Sequence, residues 1–168
     1  MTLPPALVTP IAVAPLWLVE RVARTIFAGV LRAHPDLFER LGDYRQMRYC
    51  LSPSDLPWNF LVVPATRTLN VSRKSQKPAS DACIEGPLVL LLGLLEGRCD
   101  ADALFFSRDL SVTGDMEAML ALRNALDDSA IDLPDELGAL AGPLAPFVTG
   151  TARYIRKQAL EGKAASWN

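Results

Sequence analysis

Residues 95–128 read LEGRCDADALFFSRDLSVTGDMEAMLALRNALDD, and the order of patterns in this stretch decides the fold. Ala103–Phe106 and Leu110–Thr113 are short apolar runs joined by the polar turn Ser107-Arg108-Asp109, which predicts two strands. Gly114-Asp115 then opens a helix to about Leu126, with Asp115 as its N-cap or as a first-turn acid favoured by the helix dipole. Along that helix Met116, Met119, Leu120, Leu122 and Leu126 form a broad apolar sector, and methionines can repack around tails of differing shape. Asp127-Asp128 suits the dipole badly and marks the helix end.

Upstream, Pro87 can occupy the first turn of a helix over Leu88–Leu95, which is apolar on nearly every side and therefore needs cover on several sides. Between Gln46 and Pro87 short aromatic and β-branched runs alternate with breakers, which predicts strands near Met47–Leu51, Trp58–Val63, Thr66–Arg73 and Ser80–Glu85. Trp58, Phe60 and Val62 then share one face of their strand. The polar stretch Ser72–Pro78 reads as a hairpin loop between the last two strands. Further out, Leu16–Ala33 has apolar residues at three- and four-residue spacing with Glu20, Arg21, Arg24 and Arg32 between them, an amphipathic helix. A short helix near Asp36–Leu41 is expected to end at Gly42. After a segment broken by Pro134, Gly138, Pro143 and Pro146, a helical pattern resumes over Thr149–Glu161.

Composition bounds what this chain can do. Its 168 residues are 50% hydrophobic and 21% charged, which fits one folded core and neither a disordered segment nor an integral membrane protein. A net charge of −2 argues against a general nucleic-acid binder. The charge is uneven, however. Residues 100–136 carry ten acids against Arg108 and Arg123, and the remainder of the chain is net basic. The three cysteines, Cys50, Cys83 and Cys99, have no disulfide-framework or C-x-x-C spacing, so reduced thiols and a cytoplasmic location are expected. Prolines at 4, 5, 10 and 15 interrupt the apolar N-terminal run, and neither a signal peptide nor a spanning helix is expected.

Catalytic motifs are scarce. His34 is the single histidine, and its place beside Pro35 at a helix end suits a structural role better than acid–base work. There is no G-x-S-x-G elbow, no phosphate-binding glycine loop, no zinc-ligand set and no EF-hand spacing in the acidic stretch. Binding is expected rather than chemistry, with no cofactor.

The combination Gly97-Arg98, Leu104-Phe105-Phe106, Leu110-Ser111-Val112-Thr113-Gly114-Asp115-Met116 and Leu122 resembles the signature of the sterol carrier protein type two (SCP-like) lipid-binding domain family, a likeness extending over roughly Phe38–Asp128. The resemblance implies an α+β fold: a single domain at 36–130, its twisted, mainly antiparallel sheet covered by helices around an apolar tunnel. An apolar segment and amphipathic helix would precede it at 1–35, and a helical extension would follow at 131–168. The implied tunnel lining includes Trp58, Phe60, Val62, Leu88, Leu91, Leu92, Leu95, Phe105, Met116, Met119 and Leu120, residues that would equally fill an ordinary core. More narrowly, residues 95–128 look like the UbiT-like accessory factors of bacterial ubiquinone biosynthesis. That likeness implies a non-enzymatic carrier of lipid, ubiquinone or its isoprenoid precursors in the oxygen-independent pathway, with the hydroxylases UbiU and UbiV as partners. A scaffold that docks partners through its acidic face, with lipid only structural, is the alternative. Trp17 and Phe27 beside Arg21 and Arg24 also suit transient contact with the inner face of a membrane, the competing expectation being that this helix packs on the sheet.

Overall fold

The computed structural model describes residues 14–95, 110–129 and 131. Helix α1 (Leu16–Ala33) starts after the extended Pro15, whose carbonyl accepts from the N–H groups of Leu18 and Val19. It stops at His34, because Pro35 disfavours helical geometry at the residue before it. A 3₁₀ segment, Glu39–Gln46, follows. Gly42 ends the first helical turns, as its sequence predicts, and a second set of turns follows it to Gln46. The φ of 54° and ψ of −127° at Gly42 turn the chain within the segment, a conformation only glycine adopts cheaply.

Five strands follow: β1 (Tyr49–Pro53), β2 (Trp58–Val63), β3 (Thr68–Arg73), β4 (Ala82–Gly86) and β5 (Ser111–Gly114), in the order β3-β2-β1-β4-β5. All neighbours are antiparallel except β1 and β4. The expected hairpin between β3 and β4 is therefore wrong: the two strands lie on opposite sides of the β2–β1 pair, and residues 74–81 form a crossover between them. Burial explains the exchange. Ala82, Cys83 and Ile84 are buried on both faces and belong inside the sheet, whereas β3 exposes Thr68 and Asn70 and tolerates an edge.

Helix α2 (Leu88–Leu95) and helix α3 (Met116–Asp127) complete the described fold. Asp115 is the N-cap of α3, its carboxylate accepting from the N–H groups of Glu117 at 2.9 Å and Ala118 at 3.0 Å. Gly114, at φ +89°, carries the chain from β5 into that cap, and a β-carbon there would collide with the carbonyl oxygen of Asp81.

The three helices lie on one face of the sheet. Register places Leu51 opposite Phe60 and Phe60 opposite Val71, with Ile84 opposite Val112, so these side chains share that face. Near α2 and α3 they join Tyr49, Leu91, Met119, Leu122 and Leu126 in the main core. Near α1 a second cluster of Leu56, Trp58 and Val71 packs against Leu16, Val19, Ala23, Phe60 and Leu88. The strand expected at Ala103–Phe106 and the helix expected at Thr149–Glu161 lie outside the described residues.

Candidate lipid-binding site

Between the sheet and helices α2 and α3 lies an apolar cavity of about 30 Å³. Leu51 and Ile84 form its floor, Leu91 and Leu94 come from α2, and Met119, Leu122 and Leu126 come from α3. Arg123 is the one charged residue of the wall, and its guanidinium lies 3.5 Å from the Asp127 carboxylate one turn on. Among the described residues the cavity lining is aliphatic apart from Arg123, so these side chains offer a ligand mainly dispersion contacts.

The expected lining residues divide into three groups. Leu91 and Met119 border the cavity, and Val62 packs against the same core. Trp58, Phe60 and Leu88 belong to the second cluster beneath α1, where the Arg73 guanidinium lies 5.2 Å from the centre of the Trp58 ring. Leu92, Met116 and Leu120 point outward, with Met116 59% and Leu120 53% exposed. Phe105 and the side chain of Leu95 lie outside the described residues. Leu51, Ile84, Leu94, Leu122, Arg123 and Leu126 were not among the expected lining residues. Leu94 is one turn from Leu91 on a helix already singled out, whereas Leu51 and Ile84 reach the site only through the parallel pairing of β1 with β4.

Tyr49 closes the core beside this wall. Its phenol donates to the carbonyl of Tyr44 at 3.0 Å, and burial, aided by the negative charge of Asp115, pushes its pKa up to about 12. The Tyr44 hydroxyl donates to the Glu117 carboxylate at 2.9 Å, which ties the 3₁₀ segment to the first turn of α3.

The expected membrane-facing residues of α1 also divide. Trp17 is 65% exposed and shares an outward stripe with Arg21, Thr25, Ala28 and Arg32 along a surface groove. Arg24 is held back toward β3, donating to the Leu69 carbonyl at 3.0 Å and pairing with Glu20 at 2.7 Å. Phe27 turns inward, its ring centre 6.0 Å from that of Phe38. Among the described residues, no helix is long and apolar enough to cross a membrane.

A mixed sheet of this order, closed on one face by helices over an apolar space, is the architecture of a lipid-carrier domain. The chain belongs to the SCP-2 sterol transfer family, whose model matches residues 27–127. Among solved structures it is similar to the "UbiJ-SCP2 Ubiquinone synthesis protein", with a TM-score of 0.56 and 18% identity over 71% of this chain and 98% of that one. It is also similar to sterol carrier protein 2 from Yarrowia lipolytica in its apo form, with a TM-score of 0.44 and 16% identity over 64% of this chain and 91% of that one. No curated protein matches it in sequence.

Proposed function

We propose that this protein is a non-enzymatic accessory factor that takes up the isoprenoid tail of a quinone or quinone precursor and presents its head group to partner enzymes. The observation that carries this reading is the aliphatic lining of the cavity, from Leu51 and Ile84 below to Leu91, Leu94, Met119, Leu122 and Leu126 above, beneath a helix, α2, that is itself apolar on every side. At about 30 Å³ the cavity is far below the roughly 300 Å³ or more of a small-molecule site. A tail therefore enters only as α2 and α3 part, and its methylenes then replace the contacts those helices make with each other. Met119 suits such an exchange because its unbranched side chain adapts to tails of different shape.

The pathway we favour is oxygen-independent ubiquinone synthesis, with hydroxylases of the UbiU and UbiV type receiving the presented precursor. Support comes from the family, from the likeness of residues 95–128 to UbiT-like factors, and from a fold shared with a ubiquinone synthesis protein. The alternative of an acidic docking face is weakened at Asp127 and Asp128, which already pair with Arg123 and Arg40.

Delivery further requires contact with the membrane that holds the quinone pool. The exposed stripe of Trp17, Arg21 and Arg32 suits it, since each basic side chain near an anionic surface contributes about 1 kcal/mol. Two measurements test the proposal. Native mass spectrometry of the purified full chain should show a bound isoprenoid lipid or uptake of added ubiquinone, and a protein that neither carries nor takes up either one would sink the carrier reading. In flotation, binding should require anionic lipid, weaken with salt and drop in Arg21→Glu/Arg32→Glu. Equal binding to neutral vesicles would remove the electrostatic role of the stripe.

A further inference from the structure

On the sheet face turned away from the helices, the parallel register sets Cys50 of β1 directly opposite Cys83 of β4. Both thiols are free and buried, side by side on neighbouring strands. The crossover 74–81 passes above them: Lys74 reaches Glu85 at 3.5 Å, and the Lys77 charge acts on both sulfurs. We propose that Cys50 and Cys83 form a reversible disulfide in response to a low-molecular-weight disulfide oxidant, a redox site on the face opposite the cavity.

Strand geometry sets the character of this bond. Neighbouring strands lie about 4.8 Å apart, inside the roughly 4.4–6.8 Å Cα span of disulfides, but the β-carbons must close to about 3.8 Å. The bond therefore forms with some strain, which makes it easily reduced and suits regulation rather than structural reinforcement. The two thiols are also unequal. Cys83 is 8% exposed and Cys50 1%, so Cys83 is the thiol a small oxidant reaches first, and the neighbouring Cys50 and the Lys77 cation hold its pKa below the ordinary thiol value. Cys83 is the attacking thiolate and Cys50 the resolving thiol.

The exchange balances in two steps. The Cys83 thiolate attacks one sulfur of the oxidant, forming a mixed disulfide and releasing one small thiolate. Cys50 then loses its proton to solvent and attacks the Cys83 sulfur, expelling the second thiolate. Two electrons pass to the oxidant, which leaves as two thiols once protonated. The residues that follow the pair in sequence, Leu51 and Ile84, form the cavity floor, so drawing β1 toward β4 narrows that floor. This effect on lipid rests on the carrier reading above, whereas the disulfide does not.

The test uses the full chain carrying Cys99→Ser, exposed to oxidised glutathione, quenched with iodoacetamide and mapped by peptide mass spectrometry. The expected product is one peptide pair linked through Cys50 and Cys83, lighter by two hydrogens and restored by reduced glutathione. Cys50→Ala should instead stop at a glutathione adduct on Cys83. Glu85→Gln, which frees Lys74 from its partner, should speed linkage severalfold by loosening the crossover. Both thiols remaining alkylatable after oxidation of the native protein, linkage appearing only in denaturant, or an adduct forming first on Cys50 would overturn the site. Uptake of a pyrene-labelled fatty acid is then compared before and after oxidation. A severalfold drop in the linked form supports coupling to the cavity, and unchanged uptake by a linked protein removes it. Absent uptake in both forms would count against the carrier reading and leave the disulfide standing.

Discussion

The two faces of the sheet are built on opposite plans. On one, Leu51, Phe60, Val62, Val71 and Ile84 meet three helices mainly through apolar side chains. On the other, Cys50, Ser52, Asn59 and Cys83 are buried beside a crossover carrying Lys74 and Lys77. Apolar contacts are non-directional, so the helix face can exchange one apolar partner for another at little cost. Polar contacts depend on distance and angle, and the crossover face therefore holds β1 and β4 in register. On the carrier function proposed above, the domain combines a face that parts to admit a tail with a face that keeps the strands aligned while it does so.

The largest expected effect attacks the helix face at its adaptable point. Met119 is 5% exposed and surrounded by aliphatic side chains, so Met119→Lys buries an ammonium with no counter-charge and should cost about 4 kcal/mol. Met119→Leu keeps volume and polarity and should stay within about 1.5 kcal/mol. Urea denaturation measures both. A Lys variant as stable as the wild type would show that the face already opens to water.

Changing pH separates the faces without mutation. The Tyr49 phenol, on the helix side, has a folded pKa of about 12, above its ordinary value near 10. Its stabilising effect is whole below pH 10 and is lost as pH rises from 10 through about 12. Asp81 ends the crossover. Its carboxylate accepts from the Arg48 side chain at 3.2 Å and from the Arg48 backbone N–H at 2.7 Å, and these bonds hold its pKa below the ordinary value. That contribution is present above the unfolded pKa near 4 and is lost as pH falls through the lower folded value. Melting temperature against pH should thus fall at both ends. Tyr49→Phe should flatten the alkaline limb, and Asp81→Asn the acid limb.

Local patterns made much of the helix face legible in sequence. α1, α2 and β2 occupy the spans that their spacing predicts, because helix and strand periodicities are written in consecutive residues. The cap at Asp115 was likewise visible, lying between a glycine and an apolar run. Partners were not. Ser72–Pro78 has the composition of a hairpin loop, and only the burial of β4 on both faces shows why the chain crosses to β1 instead. The same non-local pairing brings Leu51 and Ile84 into the cavity floor and Cys50 against Cys83, so neither juxtaposition could be read from spacing along the chain.

A smaller effect tests how firmly α3 is held. The Asp115 carboxylate accepts two N–H groups of its first turn, and Asp115→Ala should cost about 1 kcal/mol. If α3 parts from α2 during uptake while its start remains anchored, this variant should load a pyrene-labelled fatty acid faster despite its lower stability. Slower loading would mean that α3 moves as a whole, cap included.

The smallest expected effect on stability carries the sharpest statement about function. Met116 and Leu120 lie one turn apart on α3 and are each more than half exposed, so they contribute little to the folded core. Glutamine has nearly the helix propensity of leucine and methionine, and Met116→Gln/Leu120→Gln should change stability by about 0.5 kcal/mol or less. Exposed apolar side chains beside an apolar cavity are, however, well placed to receive a lipid tail before α2 and α3 part. Uptake of the labelled fatty acid should therefore slow severalfold in the double variant while its denaturation midpoint stays fixed. Unchanged uptake would move the entry point off this edge of α3. A falling midpoint would show instead that the two side chains brace the helix face, making it less free to open than the comparison of the two faces requires.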